Sequence, residues 1–212
     1  MSQAIDSSIR FWDRKAISYA KQPIADMEAY EKKLALTRKF LTPQSSVLEF
    51  GCGTGSTALL HAPRVNDLLA IDSSQAMIEI ASEKLEKEPY TNLRFQQATL
   101  FDLPTKKASY DVILGLNVIH LLDDPVATIK RCHELLVPGG VLITSTACIA
   151  HTGFLIRKLL PVGAALGLIP KVNIFSRGAL IADMKDAGFT ILENHTFNKS
   201  GYNVFMVVQK EK

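Results

Sequence analysis

The 212-residue chain is 47% hydrophobic, enough for one domain with a proper core, which excludes global disorder. Its formal charge of +3 is a small, scattered excess of 24 basic over 21 acidic side chains and excludes a basic footprint for nucleic acid. Three cysteines without CxxC spacing, Cys52, Cys132 and Cys148, argue against a disulfide framework or a zinc site and fit a reducing cytoplasm.

In chain order, the opening "MSQAIDSSIRFWDRK" has no apolar signal-peptide core. Residues 1 to about 40 read as two helices, "FWDRKAISYAKQP" and "DMEAYEKKLALTRKFL", outside any strand pattern. Short aliphatic runs then alternate with helical stretches. The predicted strands are Ser46–Phe50, Leu68–Asp72, Leu93–Ala98, Asp111–Asn117 and Val141–Thr146, followed by Phe189–Asn194 and Asn203–Gln209. The middle ones are apolar on both faces, as in a parallel sheet covered by helices on both sides. Between them, "SSQAMIEIASEKLEK" offers Ser73 and Ser74 as caps, and "DPVATIKRCHELLVPGG" opens on Asp124 and Pro125 and stops at Pro138-Gly139-Gly140. "RGALIADMKDAG" is a third amphipathic helix ending at Gly188. This alternation predicts a doubly wound α/β fold. Residues 147 to about 175 interrupt it. Their apolar run Phe154 to Pro170 carries Arg157, Lys158 and Pro161, so it is not read as a membrane span.

The stretch "VLEFGCGTGS" asks which ligand its glycines serve. Gly51, Gly53 and Gly55 leave Ser56 where a dinucleotide fingerprint needs its third glycine. No lysine follows Gly55, so a P-loop does not fit either. Asp72 ends the second predicted strand, 17 residues beyond Gly55, where a carboxylate can accept hydrogen bonds from a ribose diol. Glu49 adds negative charge where a dinucleotide phosphate would lie. A cationic, phosphate-free nucleoside suits this set, and S-adenosylmethionine carries a sulfonium and an ammonium.

The run "EFGCGTGS" followed by "AIDSSQAMIEIA" resembles the cofactor-binding half of class I S-adenosylmethionine-dependent methyltransferases, in their small-molecule branch. "RFQQATLFDLP", "SYDVILGLNVIHLLDDP" and "LVPGGVLITST" resemble the family's third-, fourth- and fifth-strand motifs, in the right order. The resemblance covers roughly residues 40 to 146 and the closing strands. It implies a Rossmann-like seven-stranded sheet, mostly parallel, with an antiparallel last strand. It also implies one methyltransferase domain: a helical cap (1–40), a cofactor-binding core (41–146), a substrate or lid insertion (147–175) and a C-terminal helix with a strand pair (176–212).

Carried residue by residue, the resemblance implies cofactor contacts at Tyr19, Glu49, Gly51, Cys52, Gly53, Gly55, Asp72, Ser73, Met77, Thr99, Leu100 and Asn117. Glu49 either positions the methionine end of the cofactor or caps the helix after the glycines. Cys52 is read through its backbone, with no nucleophilic role. Met77 packs beside ribose and adenine or in plain core. Thr99 stands where the family often has an acidic residue for the adenine amino group, with Leu100 as an apolar wall. Asn117 matches the position whose carbonyl meets the methionine ammonium. Tyr19 lies in a W-D-x-x-A-x-x-Y pattern, with Trp12, Asp13 and Ala16, whose tyrosine covers the methionine end. His120, His151 and Tyr19 are the candidates for a base if the acceptor is a hydroxyl, and each has an ordinary structural reading beside it. His61 is read as surface.

The implied reaction is metal-independent methyl transfer to a small, apolar acceptor. The insertion is read as an apolar lid, a packing hairpin, or a segment touching a membrane surface. Two rivals share the fold class: a nicotinamide-dependent oxidoreductase, opposed by Ser56 and the lack of a Tyr-x-x-x-Lys dyad, and a non-catalytic adenosyl-binding protein. Nucleic-acid methylation lacks its Pro-Pro-aromatic signature after the fourth strand, where "NVIHLL" stands.

Overall fold

The structure, a computed structural model, describes residues 3–104, 108–150, 154–197 and 201–212. Its strands are β1 (Ser46–Phe50), β2 (Asp67–Asp72), β3 (Leu93–Gln97), β4 (Tyr110–Leu116), β5 (Leu136–Ala147), β6 (Phe189–Thr196) and β7 (Asn203–Lys210). They form one sheet in the order β3-β2-β1-β4-β5-β7-β6. The first five are parallel; β7 runs antiparallel between β5 and β6. The order reverses between β1 and β4, which places a ligand crevice beyond their carboxyl ends. This is the Rossmann-like architecture with an antiparallel last strand that the motifs imply.

The helices are α1 (Gln3–Ala20), α2 (Met27–Arg38), α3 (Ser56–His61), α4 (Gln75–Leu85), α5 (Pro125–Leu135), α6 (Phe154–Ala165) and α7 (Arg177–Asp186). Their starts follow local chemistry. Asp26, Ser74, Asp124 and Ser176 each accept a backbone N–H three residues on, the role of an N-cap. One core layer packs Leu48, Phe50, Ile113 and Leu142 against Ile129 and Leu135 of α5 and Leu180 and Met184 of α7. The other packs Val47, Val112, Ile143 and Phe205 against Leu36 of α2, Ala58 of α3 and Ile78 of α4. Both faces are thus covered, which explains the two-sided apolar strands.

Pro138-Gly139-Gly140 differs from its reading as a helix end. Helix α5 stops at Leu135 and β5 starts at once at Leu136. The register passes from Tyr110↔Leu136 to Val112↔Val141, so residues 137–140 bulge out of the ladder. Gly139 supplies the positive φ, +79°, that this bulge requires, and its carbonyl accepts from Gln209 Nε2 at 2.8 Å.

The insertion holds α6, with Pro161 inside it, and a return segment. That segment is tied to the sheet edge: Ala150 N–H donates to Phe175 at 2.8 Å and Asn173 N–H to His120 at 2.7 Å. The side chains of Leu159, Val162, Leu166 and Leu168 stay exposed. No described helix is long and apolar enough to cross a membrane.

His61 is not at the surface. It ends α3 with no exposed area, and neither ring nitrogen has a hydrogen-bond partner. Burial, reinforced by Arg38 and Arg64, pushes its pKa down to about 4, so the ring is neutral.

Candidate functional site

Strand β1 delivers Glu49 and then the glycine turn; β2, beside it, delivers Asp72. The Asp72 carboxylate accepts Gly53 N–H through Oδ2 and Ser74 N–H through Oδ1, both at 2.9 Å. The Ser73 N–H also acts on it, and of the carboxylate's roughly four acceptor sites one stays available for a diol hydroxyl. Gly53, at φ +54°, has only Tyr19 Cε1 near its missing Cβ, at 3.7 Å, so the backbone there lies open to a ligand. Gly55, at φ +74°, is different: a Cβ there would meet Phe95 Cζ at 2.5 Å and Ala81 Cβ at 2.8 Å. It serves packing of the turn against β3 and α4. A Cβ on Gly51 would collide with Val118.

Glu49 is 3% exposed, and its Oε2 has no partner. Burial first, and Asp72 second, raise its pKa to about 8. It does not cap α3, whose N-cap is Gly55 with no side-chain bond. An orphaned, buried carboxyl that a neighbouring cation would ionise, beside a carboxylate that can accept from a diol, suits a cation next to a diol. The set therefore fits S-adenosylmethionine and does not fit a pyrophosphate. Cys52 is buried, and its thiol is held well above the ordinary range by burial, Glu49 and Asp72. A thiolate nucleophile is disfavoured there.

Helix α1 lies across this edge. Asp13 accepts from Ser74 Oγ at 2.6 Å and from Ala76 N–H at 3.3 Å, which fastens α1 to the start of α4. Trp12 meets Tyr19 edge-on at 5.9 Å. Tyr19 is 45% exposed, and burial plus the nearby Asp72 raise its pKa, so the phenol is protonated at neutral pH and is a poor base. Asp13 stood in the sequence as part of the Tyr19 pattern without a role of its own, and Lys84 was not singled out. Lys84 Nζ donates to Thr54 O at 2.8 Å and to Thr54 Oγ1 and Ser56 Oγ at 3.0 Å, which pins the glycine turn from α4. The signal for Lys84 was weak, since it reads as a solvated helix position.

Beyond β2 and β3, Ser73 presents its carbonyl to Gln97 Nε2 at 3.1 Å. Met77 is 2% exposed, and its N–H donates to Ser74 Oγ. Thr99 donates through N–H and hydroxyl to Asp102, at 2.8 and 2.7 Å. The hydroxyl proton is thereby committed, and these bonds hold the Asp102 carboxyl below its ordinary range. Leu100 is buried in core, and its carbonyl accepts from Arg131 Nε at 3.4 Å.

On the other side of β1, Asn117 follows β4 at φ +58°, a conformation asparagine tolerates better than most residues. Its N–H donates to Ser145 O at 2.7 Å. His120 sits in a 3₁₀ turn, Ile119–Leu121. Its Nδ1 accepts Ala147 N–H at 3.3 Å, so the neutral ring carries its proton on Nε2. Burial lowers its pKa to about 4. The ring thereby links its turn to the end of β5. His151 lies outside the described residues.

Residues 47–140 match the family model described as a methyltransferase domain. A ubiquinone biosynthesis O-methyltransferase of Acinetobacter baylyi is 34% identical over 101 residues, which are 47% of this chain and 42% of that protein. The like-named protein of Acinetobacter baumannii (strain ACICU) is 29% identical over 153 residues, 69% of this chain and 64% of that one. The chain thus spans 42% and 64% of the lengths of these curated relatives. The crystal structure of the YcgJ protein from Bacillus subtilis superposes with a TM-score of 0.71 at 18% identity, covering 86% of this chain and 99% of that one. The family match over residues 47–140, the named relatives, the ordered motifs and the reversed strand order together support a class I S-adenosylmethionine-dependent methyltransferase.

Proposed function

We propose that this chain transfers a methyl group from S-adenosylmethionine to a small, largely apolar acceptor without a metal. The observation that carries it is the Asp72 carboxylate, held on Gly53 and Ser74 N–H groups next to the partnerless Glu49. Asp72 takes the ribose hydroxyls, and Gly53 brings the backbone against the ligand, in a turn whose shape Gly51 and Gly55 make possible. Glu49 faces its cationic end and Tyr19 covers it. The Asn117 carbonyl meets the ammonium. Ser73, Met77, Thr99 and Leu100 border the adenosine side, with Cys52 contributing backbone.

When bound, the cofactor supplies a methyl group on a positively charged sulfur that leaves as a neutral thioether. The chain's tasks are alignment and exclusion of water. α1 and the insertion close over the strand ends for that purpose. With Tyr19 protonated and His120 committed to Ala147, neither is assigned as the base. The relatives' printed name, O-methyltransferase, supports an oxygen acceptor. We assign no nucleic-acid partner.

Calorimetric titration with S-adenosylmethionine, S-adenosylhomocysteine and NAD, alongside Asp72→Ala, tests the reading. Saturable binding of both adenosyl ligands but not NAD, weakened at least tenfold in Asp72→Ala, is expected. Binding of NAD alone would overturn it in favour of hydride transfer. Tight adenosyl binding with no turnover across an acceptor panel would leave a binding protein.

A further inference from the structure

One polar cluster at the carboxyl edge of the sheet extends beyond the cofactor-binding groups and meets them at the Asn117 side chain. Lys33, on α2, crosses to the ends of β5 and β7. Its Nζ donates to Ser145 Oγ and to Asn203 Oδ1, both at 2.9 Å. Ser145 Oγ lies 2.6 Å from Asn203 Oδ1 and 3.0 Å from Asn117 Oδ1, and Asn203 Nδ2 donates to Asn117 Oδ1 at 2.9 Å. Two strands, β5 and β7, therefore hold one ammonium from α2, and Asn117 after β4 braces the two side chains that receive it.

Three features of this cluster point to a ligand. All the oxygens that receive the ammonium are neutral, and among the described residues no carboxylate lies within 4 Å of it. A half-buried cation whose direct partners are neutral, and on which the carboxylate of Asp26 acts only from beyond 4 Å, retains part of its desolvation cost and attracts an anion. Second, an ammonium has three N–H groups, and these bonds use two of them. Third, the place is right. Ser145 pairs with Leu116, the residue before Asn117, so it stands level with the end of β4. It is two strands from β1 and its glycine turn, a lateral distance of roughly 10 Å. That leaves room for the methionine end of the cofactor between them and sets the ammonium where an acceptor would lie.

We propose that Lys33 is an acceptor-binding residue that pairs with an anionic oxygen of the methyl acceptor, held in place by Ser145 and Asn203. This rests on the methyltransferase reading. The acceptor class narrows to small molecules that join an apolar body to a carboxylate or an acidic, ionised hydroxyl. The apolar body lies toward the insertion; the anionic oxygen lies toward α2.

The test is calorimetric and needs no turnover. With S-adenosylhomocysteine saturating, 3-hydroxybenzoate and 3-hydroxybenzamide are titrated into wild type, Lys33→Met and Lys33→Arg. The expected result is at least tenfold tighter binding of the carboxylate than of the amide by wild type. That preference falls to near one in Lys33→Met and returns in part in Lys33→Arg. Unchanged S-adenosylhomocysteine affinity in Lys33→Met establishes that the variant is folded. A second variant, Asn203→Asp, keeps the lysine but places a carboxylate beside it, and is expected to weaken carboxylate binding alone. Equal binding of the two probes by wild type, binding of neither, or an unchanged preference in Lys33→Met overturns the proposal. Loss of S-adenosylhomocysteine binding by wild type overturns the methyltransferase reading instead. To separate the two anionic sources, 4-nitrophenol is compared with benzoate: preference for ionised phenol assigns the ammonium to the reacting oxygen, preference for benzoate to a positioning carboxylate.

Discussion

Glu49 and His61 are both buried without partners, and they respond to pH in opposite directions. Glu49 has its pKa raised in the fold, from 4.5 to about 8, so the native state binds more protons than the unfolded chain between these values. Stability contributed there is present at low pH and is lost as pH rises through that window. Glu49→Gln should therefore stabilise the ligand-free protein more at pH 8.5 than at pH 5, by a difference in unfolding free energy on the order of 4 kcal/mol, and raise the melting temperature accordingly. Thermal melts at the two pH values check this. The same carboxyl yields a binding signature. At pH 7 it is protonated, and a bound cation favours its ionised form, so S-adenosylmethionine should release up to about one proton on binding. Calorimetry in two buffers of different ionisation heat measures it, and Glu49→Gln should abolish it. His61 works the other way. Its folded pKa is depressed to about 4, so its stability is complete above its ordinary 6.5 and is lost as pH falls between the two. His61→Leu fills the same apolar site without a protonation penalty and should flatten acid unfolding between pH 6.5 and 4. A variant as acid-sensitive as wild type would contradict this account.

At the scale of the element, the three glycines after β1 do different work and should fail differently. Gly53→Ala meets nothing closer than Tyr19 at 3.7 Å, so it costs only the left-handed backbone strain, about 1–2 kcal/mol, but should weaken adenosyl binding by disturbing the N–H held by Asp72. Gly55→Ala adds a clash with Phe95 and Ala81 to similar strain and should cost about 2–5 kcal/mol in total. Denaturant melts paired with ligand titration separate the two patterns. These elements were the most legible part of the sequence. Aliphatic runs, cap residues and glycine spacing are local signals, and they placed seven strands, the turn and Asp72. Pro138-Gly139-Gly140 was misread because a bulge inside a strand uses the same turn residues as a helix end. His61 was misread because nothing in "LLHAPR" reveals what lies over α3. Lys33 was silent for the same reason. In "YEKKLAL" it looks like a solvated helix position, and only the tertiary fold brings Ser145 and Asn203 to it.

Across the whole molecule, the site is assembled from parts that are far apart in the chain. α1 supplies Asp13 and Tyr19 and is fastened to α4 by two hydrogen bonds to one carboxylate. Asp13→Ala should raise amide exchange throughout α1 and weaken adenosyl binding several-fold, while the exchange of β1 and β4 stays unchanged. Hydrogen exchange by mass spectrometry checks both halves of that expectation. The placement of β7 carries a further consequence. It is the strand between β5 and β6, and among the described residues β6 pairs with no other strand. During synthesis, β1 to β5 can pair as they emerge, but β5 keeps an open edge and β6 remains without a partner until residues 203–210 have been made. The chain therefore spends an interval on the ribosome with a ready template for pairing with other chains, an interval in which chaperone engagement and aggregation compete. Variants that weaken β7 should be lost first as nascent and newly released chains, before any defect in the finished protein is visible.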